Sequence, residues 1–335
     1  MRIAVDAMGG DNAPKVIVEG CIEAVLEYDI EVFLIGSKLK IQKYLKSDTA
    51  KSNKIHIIES TEVISNEEPP VNAIKRKKDS SMVVGLKLVK ESTCDAFLSA
   101  GSTGAFLAGS LLRVGRIKGI DRPALAPIIP TTKGGYMLID AGANADCKPK
   151  NIFQFALMGS IYMERVMGIS SPKVGLLSIG SEEGKGNELT KQSYNLLKSS
   201  NVNFIGNIEA RDIAFGICDV CVCDGFVGNV VLKNTEGLAT AIMSMLKEEI
   251  TKTAISKLGA LLLKDSFKGL KKRFDYKEYG GAPFLGIDGI MIKAHGSSDA
   301  KAIKNAIRQA KLLYDNQCIE KIKEEINKAG VNGFE

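Results

Sequence analysis

Residues Lys173–Glu188 read KVGLLSIGSEEGKGNE. The apolar run Val174–Ile179 has the length and β-branched content of a buried strand. It empties into Gly180, Ser181, Glu182, Glu183, Gly184, Lys185, Gly186 and Asn187, and a helical pattern begins at Leu189. A glycine-rich loop between strand and helix can turn several backbone N–H groups toward one point, where an anion also meets the positive end of the helix dipole. Lys185 adds a mobile full charge. The nucleotide P-loop is a poor fit: the spacing is a residue short, and Gly186 stands where a Ser or Thr would hold magnesium. Alone, the loop reads equally well as an ordinary strand-to-helix turn. Its recurrence along the chain favours the binding reading.

Met1 leads directly into a strand, Arg2–Met8, followed by the turn Gly9, Gly10, Asp11, Asn12 and a helix to about Tyr28. Ala96–Ser99 feeds Ala100, Gly101, Ser102, Thr103, Gly104. Tyr136–Ile139 ends in Asp140, Ala141, Gly142, Ala143, Asn144, Ala145, Asp146. Asp219–Cys223 ends in Asp224, Gly225, Phe226, Val227, Gly228, Asn229, and Gly289–Lys293 delivers Ala294, His295, Gly296. Ser297 or Ser298 is placed to cap the final helices. Strand, polar glycine loop and helix, repeated, predict a three-layer α/β/α fold with a mostly parallel sheet. Such folds gather ligands at the carboxyl ends of their strands. The loops at Gly9, Ser102, Asn144, Lys185, Asn229 and His295 are therefore expected to converge.

At 335 residues the chain suits a single α/β catalytic domain, 1–335, with ample core. Five of its seven cysteines fall inside apolar patterns, as suits a reducing cytosol. Cys218 and Cys221 have no second pair at zinc spacing, so no metal is expected. No apolar run approaches the roughly 20 residues of a membrane span. His56 reads as a partly buried strand histidine. The charge of +6 is local: Lys252–Lys277 alone nets +6, and the rest balances to zero. That argues for a local partner and against general nucleic-acid binding. Within 247–279, Ile255, Leu258, Leu262, Leu263, Phe267, Leu270 and Phe274 recur at intervals of three and four, with Lys271, Lys272 and Arg273 among the basic residues between them. The segment reads as a basic amphipathic helical arm, broken near Gly259 or Gly269, for dimerisation and contact with anionic lipid.

Together the motifs IAVDAMGGDNAP, SAGSTGA, RPALAPIIP, LIDAGAN, LLSIGSEEGKGNE, CDGFVGNVVLK and GAPFLGIDGI…AHGSS resemble the bacterial acyl-ACP:phosphate acyltransferases, the PlsX family, in order and spacing from Met1 to about Ala310. The resemblance implies transfer of a fatty acyl group from acyl carrier protein to inorganic phosphate, giving acyl phosphate for phospholipid synthesis by a membrane glycerol-phosphate acyltransferase. It also implies a fold like those of isocitrate and isopropylmalate dehydrogenases and phosphate acetyltransferase, a homodimer, and a cytoplasmic protein held peripherally at the membrane. No cofactor is implied.

Phosphate is already an oxyanion, so no Ser or Cys nucleophile is needed, and positioning with oxyanion stabilisation can supply most of the rate. Lys185, with the Gly184 and Gly186 amides and Asn187, is the expected phosphate or oxyanion ligand. Ser102, Thr103, Asn144 and Asn229 are expected as hydrogen-bonding groups, and His295 as proton donor to sulfur. Asp6, Asp146 and Asp224 could orient lysines or amides, or cap turns. Acidic carrier protein should dock on a basic surface, for which Arg113, Arg116, Lys118 and Arg122 offer one face and the arm's lysines another. Three rivals stand beside this reading. A coenzyme A-dependent phosphate acetyl- or butyryltransferase would not need the lipid-like arm. A nicotinamide-dependent decarboxylating dehydrogenase would need an aspartate trio for metal, absent at convincing spacing. A non-enzymatic membrane scaffold would leave the loops without a purpose.

Overall fold

The computed structural model describes residues 1–45, 53–274 and 279–331, with the side chains of 270–274 and 330–331 outside that description. Twelve strands follow in chain order: β1 (Arg2–Asp6), β2 (Glu31–Gly36), β3 (Ile55–Glu59), β4 (Ala96–Ser99), β5 (Ala124–Leu125), β6 (Ile128–Thr131), β7 (Gly134–Ile139), β8 (Val174–Ser178), β9 (Phe204–Glu209), β10 (Val220–Val222), β11 (Ala282–Leu285) and β12 (Ile290–Lys293). The alternation gives the expected α/β architecture, but the strands form two sheets, ordered β3-β2-β1-β4-β12-β11-β5 and β6-β7-β10-β8-β9. Both are mostly parallel. The antiparallel pairs are β11 with β12 and β5, and β6 with β7. The chain passes between the sheets at Ala126–Pro127: Ala126 N–H donates to the Pro283 carbonyl at 3.0 Å in the first sheet, and Pro127 accepts from Leu138 N–H at 3.0 Å in the second. Pro127 has no N–H to continue a ladder, so the RPALAPIIP run changes sheets there.

Helices cover both faces, because strand residues alternate sides. Ile3 and Val5 of β1 and Leu98 of β4 join one apolar cluster with Ile17 and Ile303. Ala4 and Phe97 face the other way, into a cluster with Met82 and Leu86. Each such side chain taken fully from water contributes about 1.5–3 kcal/mol. His56 lies half-buried on β3 and stacks on Phe33 at 4.7 Å, as expected of a strand histidine.

Three local expectations change. Ile179 is not part of the buried strand; it is 82% exposed, just past the end of β8. Asp299, not Ser297 or Ser298, caps the helix Ala300–Asp315 by accepting from Ala302 N–H at 2.9 Å. The arm breaks at neither glycine. One helix runs unbroken from Gly225 to Thr251, followed by Ala254–Leu262 and Lys264–Phe274. The first break falls where the Thr253 hydroxyl caps Ser256 N–H at 3.0 Å. Gly259 and Gly269 sit inside helices, since glycine weakens a helix by only about 1 kcal/mol and an N-cap can set the boundary. Lys271, Lys272 and Arg273 lie on the last helix, with side chains outside the described part.

Candidate active site

Three strand ends of the first sheet are knitted together by backbone and a buried carboxylate. Asp6, 2% exposed at the end of β1, accepts from Ser99 Oγ at 2.7 Å and from Met8 N–H at 3.1 Å. Ser99 Oγ in turn accepts from Gly101 N–H at 3.0 Å. Asp11 N–H donates to the Gly296 carbonyl at 2.8 Å, which ties the first loop to the one carrying His295. Gly10 has φ +103°, and a Cβ there would meet Ala100 and the Gly296 carbonyl at 3.1 Å. Ser102 is buried and caps the helix Thr103–Gly109 by accepting from Ala105 N–H at 3.4 Å, so its hydroxyl serves the fold. Thr103, next to it, is exposed.

The second sheet builds its wall on Asp140, fully buried at the end of β7. Its Oδ1 accepts from the N–H groups of Leu125, Gly142 and Ala143 at 3.0, 3.1 and 3.0 Å. Its Oδ2 accepts from Asn144 N–H at 2.7 Å and Asn144 Nδ2 at 2.8 Å. Burial pushes the Asp140 carboxyl upward, and these donors pull the other way. Asn144 Nδ2 also donates to the Pro123 carbonyl at 2.7 Å, so this predicted substrate ligand is occupied in shaping its loop. Asp224 caps the long helix Gly225–Thr251 by accepting from Val227 N–H at 3.0 Å. A Cβ on Gly228 would lie 1.9 Å from the Asp140 carbonyl oxygen; only glycine lets the helix start this close. The Gly142 loop in turn lies against Asn229, about 3.4 Å from where a Gly142 Cβ would be.

Between these walls lies a cleft of about 1900 Å³. Thr103, Gly142, Asn229, Lys233, Lys293 and His295 are among its lining. Ser297 N–H donates to His295 Nδ1 at 3.2 Å, which leaves the ring proton on Nε2. Burial holds the imidazole below its usual range, with Lys233 and Lys293 adding to the effect and Glu236 and Asp11 opposing it. Lys233 pairs with Glu236 at 2.8 Å.

A second cavity of about 470 Å³ adjoins the cleft, and Ala210 lines both. Ser178, Gly186, Asn187, Ser193 and Asp224 border it among apolar side chains. The Asn187 side chain caps the helix Glu188–Lys198, accepting from Thr190 N–H and Thr190 Oγ1, each at 2.9 Å. Lys185 and Gly184 are exposed on the preceding loop and line neither cavity; Lys185 N–H donates to the Glu182 carbonyl at 3.0 Å.

The expected convergence of six loops is thus divided. Thr103, Asn229 and His295 meet in the cleft. Gly186, Asn187 and Asp224 border the neighbouring cavity. Asp6, Ser102 and Asn144 stand behind as supports, and Asp146 is exposed. Among the proposed docking residues, Arg116 and Lys118 are exposed, whereas Arg113 is half-buried and donates to the Ile74 carbonyl at 3.0 Å. Leu258 and Leu262 are both well exposed on the arm. Sequence reading missed Asp140, Lys233 and Lys293. For Lys293 the available signal was a lysine closing the buried run IMIK immediately before the His295 loop. Among the described residues, no cluster of His, Cys, Asp or Glu could hold a metal ion.

Residues 1–321 match the family described as fatty acid synthesis protein. A phosphate acyltransferase of Thermoanaerobacterium thermosaccharolyticum is 56% identical over 330 residues, 98% of each chain. One of Alkaliphilus oremlandii is 57% identical over 335 residues, the full length of both. In fold, the chain resembles a phosphotransacetylase from Streptococcus pyogenes (TM-score 0.62, 16% identity, covering 96% of this chain and 94% of that one). It also resembles a 4-hydroxythreonine-4-phosphate dehydrogenase from Klebsiella pneumoniae (TM-score 0.53, 13% identity, 92% and 98%). Those two likenesses concern architecture alone. The full-length relatives carry more: this chain belongs to the phosphate acyltransferase family.

Proposed function

We propose that the protein moves a long-chain fatty acyl group from acyl carrier protein to inorganic phosphate, releasing acyl phosphate for phosphatidic acid synthesis. The observation that carries the reading is the cleft at the strand ends, ringed by cations and neutral donors (Thr103, Asn229, Lys233, Lys293, His295). That set suits an oxyanion attacking a carbonyl. Lys233 and the Thr103 hydroxyl hold phosphate, and Asn229 with the His295 Nε2–H receives the tetrahedral oxyanion. Held neutral by its surroundings, His295 is a hydrogen-bond donor here and a poor acid. Gly186 borders the adjoining cavity, and Lys185, exposed on the same loop with Gly184 and outside the cavity lining, presents a further positive charge to the incoming substrate. No cofactor is needed. The test is acyl phosphate formation from long-chain acyl carrier protein and from acetyl-coenzyme A. Turnover of the first alone supports the proposal, and turnover of the second alone would assign the protein to the coenzyme A enzymes. Lys185→Ala is expected to raise KM for acyl carrier protein several-fold, about the effect of losing one solvent-exposed charge contact.

The proposal extends to the arm. Leu238, Ile242 and Met245, spaced by four and three, leave one apolar stripe exposed on the helix Gly225–Thr251, which suits a second copy of the chain. Beyond it Ile255, Leu258, Leu261, Leu262 and Leu263 are all more than half exposed, with Leu262 at 82%. None of the described helices is long and apolar enough to cross a membrane. The arm therefore rests on an anionic surface on the cytoplasmic side, near the membrane glycerol-phosphate acyltransferase that consumes the product. Replacing Leu258 and Leu262 together by Gln should weaken sedimentation with anionic vesicles by about tenfold or more. Unchanged partition would remove the membrane role. Arg116 and Lys118 are the proposed contacts for carrier protein.

A further inference from the structure

We infer that Lys293 is the acid that protonates the departing carrier-protein sulfur, a role that rests on the acyl transfer proposed above. Lys293 ends β12, paired in register with Ser99 of β4, and lines the cleft beside Thr103, Asn229 and His295. It is 9% exposed, and its Nζ donates to the Ala294 carbonyl. Among the described residues no carboxylate forms an ion pair with it. Holding an unpaired ammonium at the buried end of this interior strand is costly, which favours giving up its proton into the cleft.

The charged groups around it come from four places. Asp6 faces it from β1, Asp11 from the following loop, Lys233 from the long helix, and His295 from its own loop. The Asp6 oxygens are engaged by Ser99 Oγ and Met8 N–H, so Asp6 favours the ammonium without pairing to it. Burial brings Lys293 down to about 8; Lys233 acts in the same direction, and Asp6 and Asp11 oppose it. An alkyl thiol ionises near 8.5, so donor and leaving group are closely matched, the condition for efficient general acid catalysis. His295, held neutral, has little proton to give, and Lys185 lies outside the cleft.

The step balances without another reagent. A phosphate oxygen forms a bond to the thioester carbonyl carbon, the C–S bond breaks with its electron pair on sulfur, and the Lys293 ammonium gives sulfur a proton. The neutral amine then takes the proton left on the phosphoryl oxygen of the new acyl phosphate. Hydrogen phosphate and thioester become acyl phosphate dianion and free thiol, and Lys293 returns to its starting state.

The test compares two thioesters: acyl carrier protein, whose alkyl thiolate needs a proton to leave, and an acyl thionitrobenzoate, whose aryl thiolate does not. Lys293→Met should lower kcat by about 100-fold with the first and by less than about threefold with the second. Retained turnover of the aryl ester would itself show a folded enzyme. The wild-type enzyme gives an independent readout: its rate with acyl carrier protein should fall as pH rises through about 8, while the aryl ester shows no such limb. Equal loss with both esters in the variant, or the same limb with both in wild type, would overturn the inference and place Lys293 on phosphate. Wild-type enzyme that makes no acyl phosphate from either ester would instead defeat the acyl-transfer reading itself.

Discussion

Asn229→Ala should lower kcat for acyl phosphate formation by about 10²–10³-fold, the usual effect of removing one donor from an oxyanion site. Asn229 lies in the first turns of the helix Gly225–Thr251, and its side chain lines the cleft. The backbone beneath it is fixed, because Gly228 sits against the Asp140 carbonyl and the Gly142 loop lies against Asn229 itself. A donor held this way needs no reorganisation when negative charge develops on the carbonyl oxygen. KM for acyl carrier protein should change little, since the interaction forms with the transition state and hardly at all with the bound thioester. Asn229→Asp should be worse than alanine, because a carboxylate would repel both phosphate and the oxyanion. Steady-state kinetics on the two variants decides the matter. A drop of less than about threefold in both would move the oxyanion elsewhere in the cleft.

Much of the layout was legible because strand ends and glycine loops carry local signals. β4, β7, β8, β10 and β12 each end where a polar loop begins, and those loops do border the two cavities, whereas the loop after β1 lines neither and is tied to the His295 loop by backbone. What the sequence could not convey was which way each polar side chain is used. Asn144 and Thr103 look alike as loop residues. Yet Asn144 spends both side-chain hydrogens on Asp140 and Pro123, whereas Thr103 faces the cleft. Asp6 and Ser102 are likewise absorbed by partners close to them, and nothing in one-dimensional spacing reports that Ser99 Oγ lies 2.7 Å from Asp6. Lys293 was passed over for the converse reason: a charged residue at a strand end ordinarily marks the return to water. Here the strand is flanked by β4 and β11, and the lysine stays inside. The arm shows the same limit. Its apolar spacing was visible, but the Thr253 cap set the helix boundary more firmly than either glycine.

Asp140→Ala should destabilise the protein by at least about 3 kcal/mol, because several buried N–H groups lose their acceptor at once and each unsatisfied donor costs about 1–3 kcal/mol. The donors belong to distant parts of the chain. Leu125 is in β5 of the first sheet, whereas Gly142, Ala143 and Asn144 form the loop after β7 of the second. The carboxylate therefore joins the two sheets where the cleft opens between them, and its loss should reduce activity along with the denaturation midpoint. The two oxygens have separate loads, which makes Asp140→Asn informative. An amide oxygen placed at Oδ1 could keep Leu125, Gly142 and Ala143, while the amide nitrogen would confront the two donors of Asn144. Asparagine should therefore fall between wild type and alanine in urea unfolding. Its residual defect should appear in acyl transfer, because Asn144 anchors the loop whose Gly142 lies against Asn229. If asparagine and alanine both unfold within about 1 kcal/mol of wild type, the carboxylate is not what fixes that wall. The cleft's geometry would then have to come from the sheets alone.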